Sequence, residues 1–173
     1  MGFPPLRRVD MRLHRFLIVG FVLFLDQATK AAIVARFSMD TIVPVIPGVF
    51  RLVRVENPGI AFGLLSDSPS KPVFVVMVLV SAAALALVAF LLWKNQHSSI
   101  LTGVGLAVIL GGASGNVVDR IARGKVIDFL DFYIGRYHWP AFNVADTAIV
   151  VGAGLLLLDF LGVRTANPSR NLS

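Results

Sequence analysis

Apolar residues along the chain fall into four long blocks, separated by stretches where polar, aromatic and turn-forming residues mix. The first block runs from about Phe16 to Phe37 and contains LIVGFVLFL. The second, Val73 to Trp93, is VFVVMVLVSAAALALVAFLLW and has no charged residue. The third spans about 100–118 and the fourth about 144–163. A helix crossing the ~30 Å hydrocarbon core needs ~20 mostly apolar residues, so each block predicts a transmembrane helix. The segments between them read differently. TIVPVIPGVFRLVRV, within 38–72, alternates apolar and polar positions in part and is broken by Pro44, Pro47 and Gly48. That pattern predicts short strands at the membrane surface. VIDFLDFY (126–133), inside 119–143, also reads as extended. Its neighbourhood holds Phe129, Phe132, Tyr133, Tyr137 and Trp139, residue types that suit a headgroup interface. KNQHSS (94–99) reads as a tight turn, and the tail 164–173 as disordered.

The expected fold is therefore all-α membrane protein: four transmembrane helices with a small extracytoplasmic β-rich cradle and a surface loop or helix. The spans use nearly half of 173 residues, so residues 1–173 are read as one membrane domain. Composition agrees: mean hydropathy is +0.78, and 15% of residues are charged against about 25% in soluble domains. The first block follows Arg7, Arg8, Arg12 and Arg15 like a signal peptide, but it continues into DQATK with no small-residue cleavage site, and three further spans follow. Four spans put both termini on one side. Lys and Arg are equally numerous on the two sides, so the four leading arginines place the termini in the cytoplasm.

The net charge of +6 is dispersed around apolar spans, which favours membrane lipid over nucleic acid as the basic residues' partner. Cysteine is absent, excluding disulfides, a thiol nucleophile and thiolate metal sites. His14, His97 and His138 show no paired-ligand spacing, so neither a metal nor another cofactor is expected.

Polar residues in or beside the spans are the candidate chemistry, because ionisable groups there are costly. Asp26 and Lys30 are four apart on one helical face; they read either as a packing ion pair or as part of a polar site. Gly111 and Gly115 offer a small-residue face for close helix approach. Asn116 and Arg120 share a face, with Asp119 beside Arg120 as its neutralising neighbour. Asn143 and Asp146 sit at the mouth of the fourth span, where a carboxylate also suits a helix N-terminus. Asn57 opens a turn, NPG. With cytoplasmic termini, Asn57, Asn116, Arg120, Asp128, Asn143 and Asp146 all fall near the outer face. Convergence of amides and carboxylates at one membrane surface points to an active site.

The ordered set DQATK (26–30), NPGIAFG (57–63), GGASGNVVDR (111–120), VIDF (126–129) and FNVAD (142–146) closely resembles lipoprotein signal peptidase, signal peptidase II. The match runs through all four blocks in order. It departs at Pro58-Gly59-Ile60, where the family often reads Asn-x-Gly followed by a small residue. The resemblance implies an aspartyl endopeptidase of the bacterial cytoplasmic membrane, active near its extracytoplasmic face. Such an enzyme cuts prolipoproteins just before their diacylglyceryl-modified cysteine and is expected to be a monomer. It also implies Asp128 and Asp146 as catalytic, with Asp26, Lys30, Asn57, Asn116, Asp119, Arg120 and Asn143 as supporting residues around substrate and dyad. Alternation along an extended VIDFLDFY turns Asp128 and Asp131 to opposite faces without choosing which one meets the site; the resemblance picks Asp128, which leaves Asp131 as a solvated acid. A presenilin-like protease would need a GxGD motif, which is missing. A small transporter or assembly factor built on intramembrane ion pairs is the reading from another class.

Overall fold

The computed structural model describes residues 11–58, 71–94 and 99–162. The expected tail, most of the 94–99 turn and residues 59–63 of the NPGIAFG block lie outside the described residues. Among the described residues four helices form: α1 (Met11–Arg36), α2 (Lys71–Lys94), α3 (Ile100–Arg123) and α4 (Val144–Phe160). Three of them, over Arg12–Arg36, Phe74–Lys94 and Ile100–Arg123, are long and apolar enough to cross a membrane. Helix α4 has 17 residues, about 26 Å at ~1.5 Å rise per residue. In hydrocarbon a helix satisfies its backbone internally, so even the β-branched run VFVVMVLV folds as helix in α2. Apolar side chains point outward along these rods: Phe16, Phe21 and Phe24 on α1, and Leu79 and Val80 on α2, are all more than 60% exposed. That distribution suits a lipid solvent.

Helix α3 is central and packs against α1, α2 and α4. Its glycines set the spacing. A Cβ at Gly112 would lie 2.5 Å from the Ala145 carbonyl oxygen, and one at Gly111 would lie 2.7 Å from Val22 Cβ. At Gly115 it would strike the Asp26 carboxylate. The expected small-residue face of Gly111 and Gly115 therefore receives α1, while Gly112 on the adjoining side receives α4. At the arginine-bearing end, Arg15 is buried against Gly103, and Thr102 Oγ1 donates to Asp159 Oδ2 at 2.5 Å, tying α3 to α4.

Four strands make one antiparallel sheet in the order β1-β2-β3-β4: β1 (Val43–Ile46), β2 (Phe50–Asn57), β3 (Val126–Ile134) and β4 (Tyr137–His138). Gly48 and Gly135, with φ of 83° and 58°, turn the two hairpins, a conformation glycine adopts without a Cβ penalty. The sheet docks on α1 through Ile33, Ile127 and Phe129. Both strand expectations hold, but α3 continues five residues past Val118, so Asp119 and Arg120 lie on a helix. Helix α3 ends at Gly124 in the left-handed region (φ 72°), and β3 starts two residues later.

Candidate active site

The nine residues singled out from the sequence form one connected hydrogen-bonded network where α1, α3, α4, β2 and β3 meet. It starts in the helices. Lys30 Nζ lies 2.9 Å from Asp26 Oδ2, 2.8 Å from Asp119 Oδ2 and 3.0 Å from Asn116 Oδ1. Lys30, Asp26 and Asp119 are fully buried. Buried charges survive only when paired and hydrogen-bonded, and here every ammonium proton has an acceptor. Asp26 Oδ1 also accepts from Ala145 N at 3.0 Å, fixing the first turn of α4 to α1.

Asp119 is not neutralised by Arg120. Its partners are Lys30, Arg123 four residues on, and the Gln27 amide at 3.2 Å. Adjacent helical residues point about 100° apart, whereas residues four apart share a face. Arg120 instead turns towards Asn116, donating from Nη1 to its carbonyl at 3.0 Å, and lies in the field of Asp146, Asp128 and Asp119. Its Nε is buried without a hydrogen-bond partner. Gln27 and Arg123 belong to the same cluster and went unassigned in the sequence. Gln27 sits inside the DQATK block, and the four-residue spacing from Asp119 to Arg123 was the available signal.

Asn143 is the hub between the two outer carboxylates. It caps α4 in a capping box: its Oδ1 accepts from Asp146 N at 3.0 Å, and its backbone N–H donates to Asp146 Oδ2 at 3.3 Å. Its Nδ2 donates to Asp128 Oδ1 at 2.7 Å. Asn116 Nδ2 donates to Asp146 Oδ1 at 2.8 Å, and Asn57 Nδ2 to Asp128 Oδ2 at 3.1 Å. Thus Asp128 on β3 and Asp146 on α4 flank one asparagine, with a donor on every carboxylate oxygen. Strand β3 is anchored here by Ile127 N, which donates to Asp119 Oδ2 at 3.3 Å.

Asp128 is only 3% exposed. Burial is the chief cause pushing its pKa up, to about 6; Asp146 nearby pushes the same way, while the hydrogen bonds from Asn57 and Asn143 and the charge of Lys30 oppose it. A carboxyl that holds a proton near neutral pH beside a second carboxylate can act as acid while its neighbour acts as base. Among the described residues, no group of three or more His, Asp or Glu is arranged to hold a metal ion.

Asp131 departs from its expected place in water. It is 5% exposed and held by Arg51 Nε at 2.6 Å and His138 Nδ1 at 3.0 Å. Arg51 stands directly across from it in the β2–β3 register, and the short β4 brings His138 back over it. Strand alternation separates Asp131 from Asp128, but both carboxylates are buried. Burial alone would raise the Asp131 pKa; the His138 and Arg51 hydrogen bonds outweigh it and hold the carboxyl below the usual range. Beside this pair a concavity of about 560 Å³ opens along the sheet, lined by residues that include Ile42, Val55, Arg54 and Trp139.

Comparison with known proteins places this geometry. The model of the signal peptidase (SPase) II family matches residues 18–162. The lipoprotein signal peptidase of Syntrophus aciditrophicus is 48% identical over 147 residues, covering 84% of this chain and 91% of the relative. That of Solibacter usitatus is 45% identical over 152 residues, covering 88% and 93%. A bacterial membrane enzyme solved by the in meso method at 2.3 Å resolution superposes with a TM-score of 0.71 at 28% identity, covering 92% of this chain and 94% of that one. A second, solved at 1.9 Å, gives 0.75 at 28% identity, over 86% and 92%. With sequence and fold both matched over most of its length, this chain belongs to the signal peptidase II family, a family of proteases.

Proposed function

We propose that the protein removes signal peptides from diacylglyceryl-modified prolipoproteins, cleaving before the lipidated cysteine, with Asp128 and Asp146 as an aspartyl dyad. The observation that carries this reading is the pair of carboxylates bound to one buried asparagine: Asp128 Oδ1 accepts from the Asn143 side-chain Nδ2, and Asp146 Oδ2 accepts from the Asn143 backbone N–H in the capping box. Two close carboxylates do not both ionise readily, so one member can hold a proton while the other is ionised. The ionised member takes a proton from water, which attacks the scissile carbonyl. The protonated member hydrogen-bonds the carbonyl oxygen as negative charge develops there and then returns a proton to the leaving amine. The protons belong to the pair, and its pH dependence is that of the pair. Arg120, near both acids, supplies positive charge for the oxyanion, an effect worth ~3 kcal/mol for a well-placed donor.

We take α4 as the fourth span. It is uncharged between Asp146 and Asp159 and packs along α3 within the same slab. The chain is then one monomeric membrane domain of the bacterial cytoplasmic membrane, with cytoplasmic termini and the dyad near the outer face. The sheet and its exposed Tyr137 and Trp139 would lie at the interface, where the concavity beside β2 can receive extended substrate. Neither the transporter nor the assembly-factor reading calls for two carboxylates on one asparagine outside the ion-paired cluster. Cleavage of a diacylglyceryl-modified prolipoprotein by purified protein tests the proposal. Asp128→Asn and Asp146→Asn should each lower kcat by at least about 10³-fold while the protein remains folded in the membrane. Unchanged turnover in either variant would overturn the dyad.

A further inference from the structure

Asn116 is hydrogen-bonded to both the buried Lys30 and the Asp146 carboxylate, which makes it a bridge between the charge cluster and Asp146. Its Oδ1 accepts from Lys30 Nζ at 3.0 Å and from Asn143 Nδ2 at 3.3 Å; its Nδ2 donates to Asp146 Oδ1 at 2.8 Å. A primary amide has nearly the same shape after a half-turn about its last bond, which exchanges oxygen for nitrogen. Shape therefore does not decide which end faces Asp146. Lys30 does. An ammonium has three donors and no acceptor, so only the amide oxygen can face it, and the N–H edge is turned to Asp146. The ammonium is itself immobile, because its other two protons go to Asp26 and Asp119, both fully buried. The same cluster holds Asp146 from a second side, since Asp26 Oδ1 binds the backbone of Ala145, the residue before it.

We infer that Lys30 is a positioning residue for the dyad: it locks the Asn116 amide so that an N–H, never a carbonyl oxygen, is presented to Asp146. This inference rests on the dyad reading above and assigns Lys30 no contact with substrate, from which its complete burial separates it. A flipped Asn116 would put an acceptor 2.8 Å from a carboxylate oxygen, a pairing tolerable only with a proton between them. The flip would thus redistribute the proton that the two acids share. Among the described residues, the charged groups in the field of Asp146 are Asp128 from β3 and Arg120 from α3. Behind Asn116 stand Lys30 and Asp26 from α1 and Asp119 from α3. Of these charged groups Lys30 is the one that donates to the amide oxygen, beside the neutral Asn143 Nδ2.

The experiment measures kcat and KM separately on a diacylglyceryl-modified prolipoprotein. Removing Lys30 alone leaves two buried carboxylates short of a cation, so Lys30→Met is combined with Asp26→Asn, which removes one charge of each sign. The combination should lower kcat about tenfold or more and leave KM within about twofold. Asn116→Leu should lower kcat at least as far. Adding Lys30→Met/Asp26→Asn to Asn116→Leu should cost nothing further, because the group through which Lys30 acts is already gone and Asp26→Asn keeps a side-chain oxygen for the Ala145 N–H. Losses that multiply, or a rise in KM at unchanged kcat, would overturn the inference. Asn116→Asp provides a test that leaves Lys30 in place: the ammonium gains a carboxylate partner, but no N–H faces Asp146. Its kcat should fall to the Asn116→Leu level, and wild-type kcat would overturn the lock whether or not the Lys30 variants fold. Asp146→Asn, assayed alongside, separates the two readings. If it is active, the dyad fails; if it is inactive while the other losses multiply, only the role of Lys30 fails.

Discussion

At the scale of single residues, the informative contrast is between two buried acids on one strand. Asp128 sits where burial outweighs its donors, and its pKa is pushed up to about 6. Asp131, three residues on, keeps a cation and a histidine, and its pKa is pulled down. The signs have opposite consequences for stability. A carboxyl raised from 3.8 binds its proton more tightly in the folded chain, so the stability it contributes is full below 3.8 and is lost as pH rises through 6. Asp131 contributes above its unfolded value and loses that contribution as pH falls through its lower folded value. Asn57 donates to Asp128 Oδ2 and favours its ionised form, so Asn57→Leu should move the alkaline limb of the kcat profile to higher pH. A limb that stays in place or moves to lower pH would show that Asn57 does not set the charge state of Asp128. Asp131→Ala should destabilise the protein by about 2 kcal/mol, at the charged-hydrogen-bond scale, because Arg51 is a quarter exposed and regains water. Thermal unfolding of the variant, with cleavage of substrate retained, checks that Asp131 is structural. Periodicity separated these two acids correctly. With the resemblance choosing Asp128, Asp131 falls to water, because the cross-strand Arg51 and the returning His138 are tertiary neighbours, which local alternation does not encode. Asp119 misled for the complementary reason, since sequence adjacency to Arg120 hid the helical neighbour Arg123.

At the scale of elements, the helices were legible because lipid simplifies the code: length and apolarity suffice, and the four blocks match the four helices to within about five residues at each end. The register between helices was legible only where glycines marked it. Gly111 and Gly115 predicted a close approach, and the structure puts α1 against both, with Gly112 on the adjoining side receiving α4. Gly115 is the most demanding of these positions, because its missing Cβ leaves room for the Asp26 carboxylate, which in turn binds Lys30 and the first turn of α4. Gly115→Val should therefore act at a distance, opening α1 from α3 and loosening the mouth of α4. The expected result is a loss of several kcal/mol of stability by overpacking, with cleavage activity lost well below the unfolding temperature. Gly154→Ala, on the same helix as Asp146 but with nothing within 4 Å of its Cβ position, is the matched control and should be close to neutral. Equal tolerance of the two substitutions would show that the α1–α3 contact does not hold the site. The strands were legible as extended segments, yet their order was not: β2 pairs with β3 across roughly seventy residues that include all of α2 and α3, a long-range closure that no local pattern specifies.

At the scale of the whole molecule, the fold separates two kinds of polar chemistry along the helix bundle. The ion-paired cluster of Asp26, Lys30 and Asp119 lies within the helices, while Asp128 and the sheet lie beyond their ends; Asn116 and Asn143 connect the two. On the proposed function this arrangement makes orientation in the membrane a functional matter, because the proposed dyad would meet a translocated substrate only if the sheet end faces outward. The absence of cysteine from the chain allows orientation to be read directly with single cysteines and a membrane-impermeant maleimide in intact cells. Tyr137, 74% exposed on β4, marks the sheet end; Lys94, exposed at the end of α2, marks the opposite end. Tyr137→Cys should label from outside, and Lys94→Cys only after the membrane is permeabilised. Leu161, 65% exposed just past α4, decides the number of spans. If α4 crosses, Leu161→Cys behaves like Lys94→Cys; if α4 turns back at the surface, it labels with Tyr137→Cys. A chain of three spans would leave the last described residues outside, and the tether between Asp146 and the bundle would then be α4 lying in the interface. The continuous packing of α4 on α3, down to the Thr102–Asp159 bond beside the arginine-bearing end of α1, argues for the crossing, and protection of Leu161→Cys in intact cells is the expected outcome.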